Sequence, residues 1–433
     1  TTFYQYNRLA SLNEVGGDPA RFGASLAAFH RQNQERARRW PRAMLATSTH
    51  DNKRSEDARA RISVLSEVPE EWRGALSRWS SLNRGKRNET DDGGEHEEPG
   101  RELSPSRNDE YLLYQTLLGI WPFGDPGKTQ DQPQSPPDAE NPHENAPGGD
   151  IPDADELARL CERATAYMIK AAREAKIHSS WINPEAGYEE ATANFVQALL
   201  TRDFANRFLP DFTAFQRRIA RAGAFSSLSQ LVLKLTSPGV PDIYQGNELW
   251  DFSLVDPDNR RPVDYAARQA ALQEIKAIHA GEGPAACAQR LLGALPDGRI
   301  KLYLTWKTLA LRHERESLFR EGDYLPLKAH GEHAEQVCAF ARRQGNEIVI
   351  VAVPRLLRGL LGEDGRQLPV SATAWGDTWL ELPAEFLQEE WIDAFTAGTL
   401  RADARDGTSG LALARLFSLF PYALLETHGR DRL

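Results

Sequence analysis

The stretch Met44–Arg54, MLATSTHDNKR, ends a short apolar run in a histidine, an aspartate and two cations. A carboxylate beside a histidine and two cations stays ionised, accepts hydroxyl hydrogen bonds through two oxygens and stabilises positive charge developing nearby. An apolar strand that ends at once in such a cluster suits the C-terminal edge of a parallel sheet, where α/β barrels meet their ligands. A plainer reading fits the same residues. Asp51 caps the helix that Ala58, Ile62 and Leu65 predict by their spacing, and Lys53 and Arg54 solvate its first turn. This stretch alone leaves both readings open.

A second cluster follows another short apolar run. Ser237–Tyr265, SPGVPDIYQGNELWDFSLVDPDNRRPVDY, carries Tyr244, Gln245, Glu248, Asp256, Asp258, Arg260 and Arg261. So dense a mixture of aromatics, carboxylates and arginines reads as a binding loop. Trp250, Phe252 and Tyr265 offer flat faces to sugar rings. Arg260 and Arg261 either fix a ligand or pair with Asp256 and Asp258 to hold the loop shut. In REAKIHSSW, His178 reads as a helix-terminal residue, and Trp181 fits a sugar groove or a core. For Trp375, Trp379 and Trp391, packing is the reading preferred over a starch-binding surface.

The elements that must position these clusters belong to an ordinary globular α/β chain. Of 433 residues, 40% are hydrophobic and 26% charged, enough for two or three cores. The balance of 52 basic against 62 acidic residues, −10 overall, argues against nucleic acid or an anionic membrane as partner. No run approaches the roughly 18 apolar residues of a membrane span. Cys161, Cys287 and Cys338 make neither a disulfide framework nor a zinc pattern, so a reducing, cytoplasmic setting is expected. No His/Cys cluster or Gly-rich phosphate loop occurs, and neither metal nor cofactor is expected. The chain opens on Thr1-Thr2-Phe3-Tyr4, which suggests a fragment or a processed protein.

Four segments are expected: 1–80, helical patterns with a short apolar run; 81–221, a mainly helical region; 222–322, a helix, a turn and a short strand of the α/β kind; and 323–433, a β-domain. Helices are predicted over Ala154–Lys176, Tyr188–Phe204 and Phe225–Leu235, the last stopped by Ser237-Pro238-Gly239. The polar tracts Asn83–Asp109 and Gly124–Asp153 read as exposed loops. Val337–Arg342 and Ile348–Val353 flank a hairpin turn, and Trp379–Leu382, Trp391–Phe395 and Ala412–Leu425 continue the β pattern.

The combination of FYQYNRLASLNEVGGDP (Phe3–Pro19), ATSTHDNKRSEDARARI (Ala46–Ile62), EYLLYQTLLGIWP (Glu110–Pro122), REAKIHSSW, PGVPDIYQGNELWDFSLVDPDNRRPVD and RESLFREGDYLPL (Arg315–Leu327) resembles maltooligosyltrehalose synthase of the α-amylase superfamily. The resemblance implies the C-terminal part of a (β/α)8 barrel with a large helical insertion and a C-terminal antiparallel β-domain. It implies conversion of the reducing-end α-1,4 linkage of a maltooligosaccharide to an α,α-1,1 linkage. By the same resemblance Asp51 is a catalytic, transition-state-stabilising carboxylate. His50, Lys53, Arg54, Tyr244, Gln245, Glu248, Arg260 and Arg261 contact substrate. The motifs that hold the family's nucleophile and general acid are not found. The expectation is therefore a chain inactive by itself, working with an N-terminal portion of the same enzyme. A hydrolase of the same fold and a non-catalytic carbohydrate-binding module remain as alternatives.

Overall fold

The computed structural model describes residues 1–89, 103–123, 151–362, 367–370, 372–386, 389–405 and 408–427. The middle of the first polar tract and nearly all of the second lie outside these residues. The chain divides into two compact units, 1–22 with 50–223 and 252–261, and 23–49 with 224–251 and 262–433.

The first unit is helical. Glu56–Ser63, Pro69–Leu82, Arg107–Ile120, Ala154–Ala175, Ala186–Leu200 and the first part of Phe208–Thr236 form it. Short polar side chains start several of them. The N–H groups of Ala58, Asp109 and Glu156 donate to Ser55, Ser106 and Asp153, satisfying donors a helix leaves open. In Ala154–Ala175 the buried residues Leu157, Leu160, Ala164, Tyr167, Met168, Ala171 and Ala175 recur at helical spacing, and Lys176 ends the helix at φ +59°. The next helix stops at Leu200, short of the predicted Phe204, which is 99% exposed. The core is an aromatic cluster in which Trp79 meets Tyr114, Phe208, Phe212 and Phe215 at 5.1–5.7 Å. Burying such a ring removes roughly 150–250 Å² from water, on the order of 4–6 kcal/mol before entropy is counted.

The start and end of the first polar tract are ordered, contrary to the loop expectation. Arg84–Lys86 makes a 3-10 turn and Asn88–Glu89 pairs with Leu103–Ser104. Specific polar contacts do what apolar burial could not: buried Asn83 donates to Tyr114 Oη, and Arg87 donates twice to Pro105 O. Arg61 is wholly buried between the rings of Phe123 and Phe252, 4.3 and 3.5 Å from their centroids, and donates to Gly119 O and Trp121 O. Burial brings its pKa down to about 9.

The second unit holds the helix Leu26–Arg39 and the two-residue strand Met44–Leu45, which pairs in parallel with Val240–Pro241. Gly239 has φ +129°, and a Cβ there would lie 2.7 Å from Ala43 O, so only glycine fits at the start of that pair. Four helices between Tyr265 and Glu321 lead into two antiparallel sheets. One is six-stranded, in the order Thr399–Arg401, Glu390–Asp393, Ala423–Thr427, Glu347–Pro354, Val337–Gln344, Asp323–Leu327. The other has four short strands. The predicted hairpin is present, with Gly345 at φ +59° in its turn. Ala412–Leu425 is not one strand. The run LARL folds as a short helix because leucine, alanine and arginine favour it, and the strand resumes only at Ala423 beyond Pro421.

Two arginines finish the helix Phe208–Thr236 from other elements. Arg312 donates to Leu235 O and Gly239 O, and buried Arg342 of the long hairpin donates to Thr236 O, Leu318 O, Phe319 O and Gly322 O. Leu235 O, Thr236 O and Phe319 O are acceptors that two helix ends leave open, and Leu318 O already accepts the Gly322 N–H.

Candidate functional site

His50–Arg54 forms a turn that leads into the helix Glu56–Ser63. The cap of that helix is Ser55, whose Oγ accepts Ala58 N–H at 3.4 Å. Asp51 is therefore not spent as a cap, which removes the plain reading of it. Backbone pairing ties this turn to the loop 252–261, about two hundred residues later. Ser55 N–H donates to Ser253 O at 2.9 Å, Val255 N–H donates to Lys53 O at 3.0 Å, and Arg54 bridges Leu254 in antiparallel register. Asn259 Nδ2 donates to His50 O at 2.9 Å. The His50–Arg54 turn and the 252–261 part of the second cluster thus form one surface within the first unit.

Glu14, from the LNEVGG stretch, supports the turn from beneath. Both its carboxylate oxygens accept Lys53 N–H, at 2.9 and 3.1 Å, and Arg59 Nε lies 3.8 Å away. On the outer side His50 and Asp51 are 61% and 67% exposed, with Nε2 and Oδ2 3.5 Å apart. Lys53 Nζ reaches Asp51 O at 3.3 Å. Arg54 turns inward instead. It is buried, donates to Ala10 O, Thr116 Oγ1 and Tyr167 Oη at 3.3, 3.4 and 2.7 Å, and stacks 5.2 Å from the Tyr167 ring. Burial raises the Tyr167 pKa, so its hydroxyl remains neutral beside the cation.

Arg260 and Arg261 make the ion pairs that a closed loop requires, with Asp256 at 2.7 Å and Asp258 at 3.1 Å. Both stay 57% exposed, so their guanidinium groups remain within reach of a ligand. Asp258 holds the loop by more than Arg261. It accepts Arg163 at 3.0 and 2.9 Å and Leu254 N–H at 2.8 Å.

Tyr244, Gln245 and Glu248 belong to the second unit. Gln245 is exposed, Tyr244 half-buried, and Glu248 pairs with Arg268 at 3.0 Å. Arg268 also donates to Gly246 O at 2.7 Å, which fixes the loop's course. Here too the two strand ends meet: buried Asn247 donates to Ser48 Oγ at 3.0 Å, and Lys234 Nζ donates to Thr47 Oγ1 at 2.7 Å. A cavity of about 620 Å³ opens beside Met44 and Leu45, lined also by Phe29, Leu233 and Leu356.

Of the aromatics offered to sugars, Phe252 is taken by Arg61 and Trp250 donates its Nε1–H to Leu295 O at 2.8 Å, whereas Tyr265 is 54% exposed. Trp375 and Trp391 are fully buried, and Trp379 stacks 4.7 Å from His330. Glu14, Asn259 and Arg163 escaped the sequence reading. For Glu14 the available signal was a lone acid placed before two glycines; for the other two there was none. Among the described residues no group of His, Cys, Asp and Glu side chains gathers to hold a metal, and no helix is long and apolar enough to cross a membrane.

The helical unit and the antiparallel C-terminal sheets are matched along nearly the whole chain by solved structures that share one name. The structure of maltooligosyltrehalose synthase from Arthrobacter ramosus matches 99% of this chain at TM-score 0.71 and 31% identity, with 44% of that protein covered. A crystal structure of another maltooligosyl trehalose synthase matches 99% of this chain at TM-score 0.66 and 30% identity, with 45% covered. Two curated relatives from Mycobacterium tuberculosis strains, each proposed to be a maltooligosyl trehalose synthase, are 33% identical over 397 residues, 92% of this chain. No protein-family profile matches. The chain is thus similar to maltooligosyltrehalose synthases over most of its own length, and spans 40% of the length of the curated relatives it matches.

Proposed function

We propose that this chain is the C-terminal portion of a maltooligosyltrehalose synthase and supplies part of its sugar site. The observation that carries this reading is the joined surface of His50–Lys53 and the loop 252–261, in which Asp51 is exposed and the helix is capped by a different residue. Asp51 would face the sugar at the bond that breaks and stabilise its oxocarbenium-like charge. His50 and Lys53 would hold hydroxyls, and Arg260 and Arg261 would reach neighbouring sugars. Tyr244, Gln245 and Glu248 would contribute from the end of the following strand. Arg54 would serve from behind, anchoring the turn through Tyr167.

Met44–Leu45 and Val240–Pro241 are read as adjacent strands of an α/β barrel. Parallel sheets are normally covered on both faces and flanked by further strands. Here Met44 is 70% and Val240 47% exposed, beside an apolar-lined cavity. That exposure supports a partner portion of the same enzyme completing the sheet and bringing the nucleophile and general acid. The reaction would then follow the retaining course. A carboxylate displaces the reducing-end glucose, and the freed glucose, held in place and shielded from water, attacks the covalent intermediate through its anomeric hydroxyl.

The test is incubation of the chain with maltopentaose, following reducing ends and free glucose. No turnover by the chain alone is expected. In a longer protein that contains it, reducing ends should disappear without glucose release, and Asp51→Asn should lower kcat about 10²–10³-fold. Turnover by the 433-residue chain alone, or an Asp51→Asn variant with unchanged kcat, would refute the proposal.

A further inference from the structure

Between the helices Ala154–Ala175 and Ala186–Leu200 lies a short connection that presents an aromatic ring to solvent. Trp181 is 53% exposed, and its neighbours Ile177 and Ile182 are 58% and 95% exposed. An unpacked tryptophan would ordinarily be loosely held. This one is restrained at every level. The turn beneath it is closed by Ser180 N–H donating to Asn183 O at 3.2 Å and by Asn183 N–H donating to Ser180 Oγ at 2.9 Å. The indole N–H donates to Glu174 Oε1 at 3.0 Å. One ring face is covered by the Arg173 guanidinium, 4.9 Å from the ring.

Arg173 is itself fixed by a bidentate pair with Glu189, at 2.7 and 2.6 Å, and Ser179 Oγ donates to the same carboxylate at 2.6 Å. His178 stacks 4.5 Å from Tyr188, which is buried in the unit's core. The connection therefore holds a flat ring with one face blocked, its only polar atom satisfied and its orientation fixed. The core needs none of this from Trp181, which lies largely outside it.

We infer that Trp181 is a stacking platform for one glucose ring of an α-glucan, separate from the surface formed by His50–Lys53 and Arg260–Arg261. A pyranose presents a face of C–H bonds, and an indole with its N–H already engaged offers the complementary apolar π-face. Fixing the ring beforehand reduces the rotamer entropy lost on binding. The exposed side chains of Lys176, Asn183 and Glu185 lie next to it in sequence and offer hydrogen bonds to hydroxyls. The inference rests on the proposed α-glucan function.

The test is ¹⁹F NMR of the 433-residue chain labelled with 5-fluorotryptophan, with the Trp181 resonance identified by its loss in Trp181→Phe. Titration with maltopentaose should shift that resonance saturably, while glycerol at the same concentration should not. Arg173→Met should weaken the effect several-fold while circular dichroism stays unchanged. If other tryptophan resonances shift and Trp181 does not, glucan binds elsewhere and this inference fails while the proposed function stands. If no resonance shifts and calorimetry detects no heat, the platform fails, while the proposed function is judged by its own test on the longer protein. A Trp181 resonance that moves on dilution without sugar identifies a protein contact and overturns the platform.

Discussion

Replacing Glu14 with alanine removes the acceptor that holds the Lys53 amide, and with it the support beneath His50 and Asp51. The carboxylate is 12% exposed, so its hydrogen bonds are little weakened by water. A hydrogen bond to a charged group contributes about 1.5–3 kcal/mol, and each 1.4 kcal/mol is about tenfold in an opening equilibrium. Exchange of the Lys53 amide should then accelerate about ten- to a hundredfold in Glu14→Ala. Glu14→Gln keeps one acceptor oxygen without the charge, and the acceleration should fall to about threefold to tenfold. Hydrogen–deuterium exchange read by mass spectrometry on peptides covering 49–56 measures it, with peptides from the hairpin Val337–Pro354 as the unaffected reference. Equal Lys53 exchange in wild type and Glu14→Ala would refute this reasoning, as would a glutamine variant as fast as the alanine one.

Asp258→Asn should cost about 2–3 kcal/mol and loosen the loop 252–261, because Arg163 loses its charged bidentate partner in a site only about a fifth exposed; urea denaturation and exchange of the Leu254 amide report it. Gly239→Ala should lose about 2 kcal/mol or more, since any Cβ at that φ is strained and meets Ala43 O, and thermal melting shows the loss. The hydrogen bond from Arg173, opposed by desolvation and aided by Ser179, holds the Glu189 carboxyl below its ordinary pKa. A carboxylate with a depressed folded-state pKa stabilises above its unfolded value and loses that stabilisation as pH falls through the folded one. Acidification below the usual carboxylate range should therefore free Arg173 and broaden the Trp181 ¹⁹F resonance, with no such change near neutrality.

Periodicity carried most of the helical architecture. Ala154–Ala175 was legible because its apolar residues repeat on one face, and the Val337–Pro354 hairpin because two apolar runs flank a glycine turn. The ordered margin of the first polar tract was not, since Arg87 and Asn83 order it by contacts with Pro105 and Tyr114 that composition does not encode. In the candidate site the residue types were legible and their directions were not. Arg54 follows Lys53 immediately, yet it turns inward because Tyr167, from a helix a hundred residues later, supplies its partner. The pairing of loop 252–261 with the His50 turn is likewise a long-range fact. The roles of Asp51 and the arginines were suggested by likeness to a family, not by spacing.

The arginine clamp on the helix Phe208–Thr236 bears on where this protein can be cut. Arg312 and Arg342 supply the terminal cap from outside the helix, and Arg342 sits well inside the C-terminal sheet. Truncation at residue 322, before the first strand of that sheet, would remove Arg342 and with it the donor to the Thr236 and Phe319 carbonyls. The β-sheet region is thus no detachable appendage but the closing piece of the helix that feeds Val240–Pro241. Deletions made to isolate a smaller sugar-handling unit should stop beyond the hairpin or fail to yield a folded product.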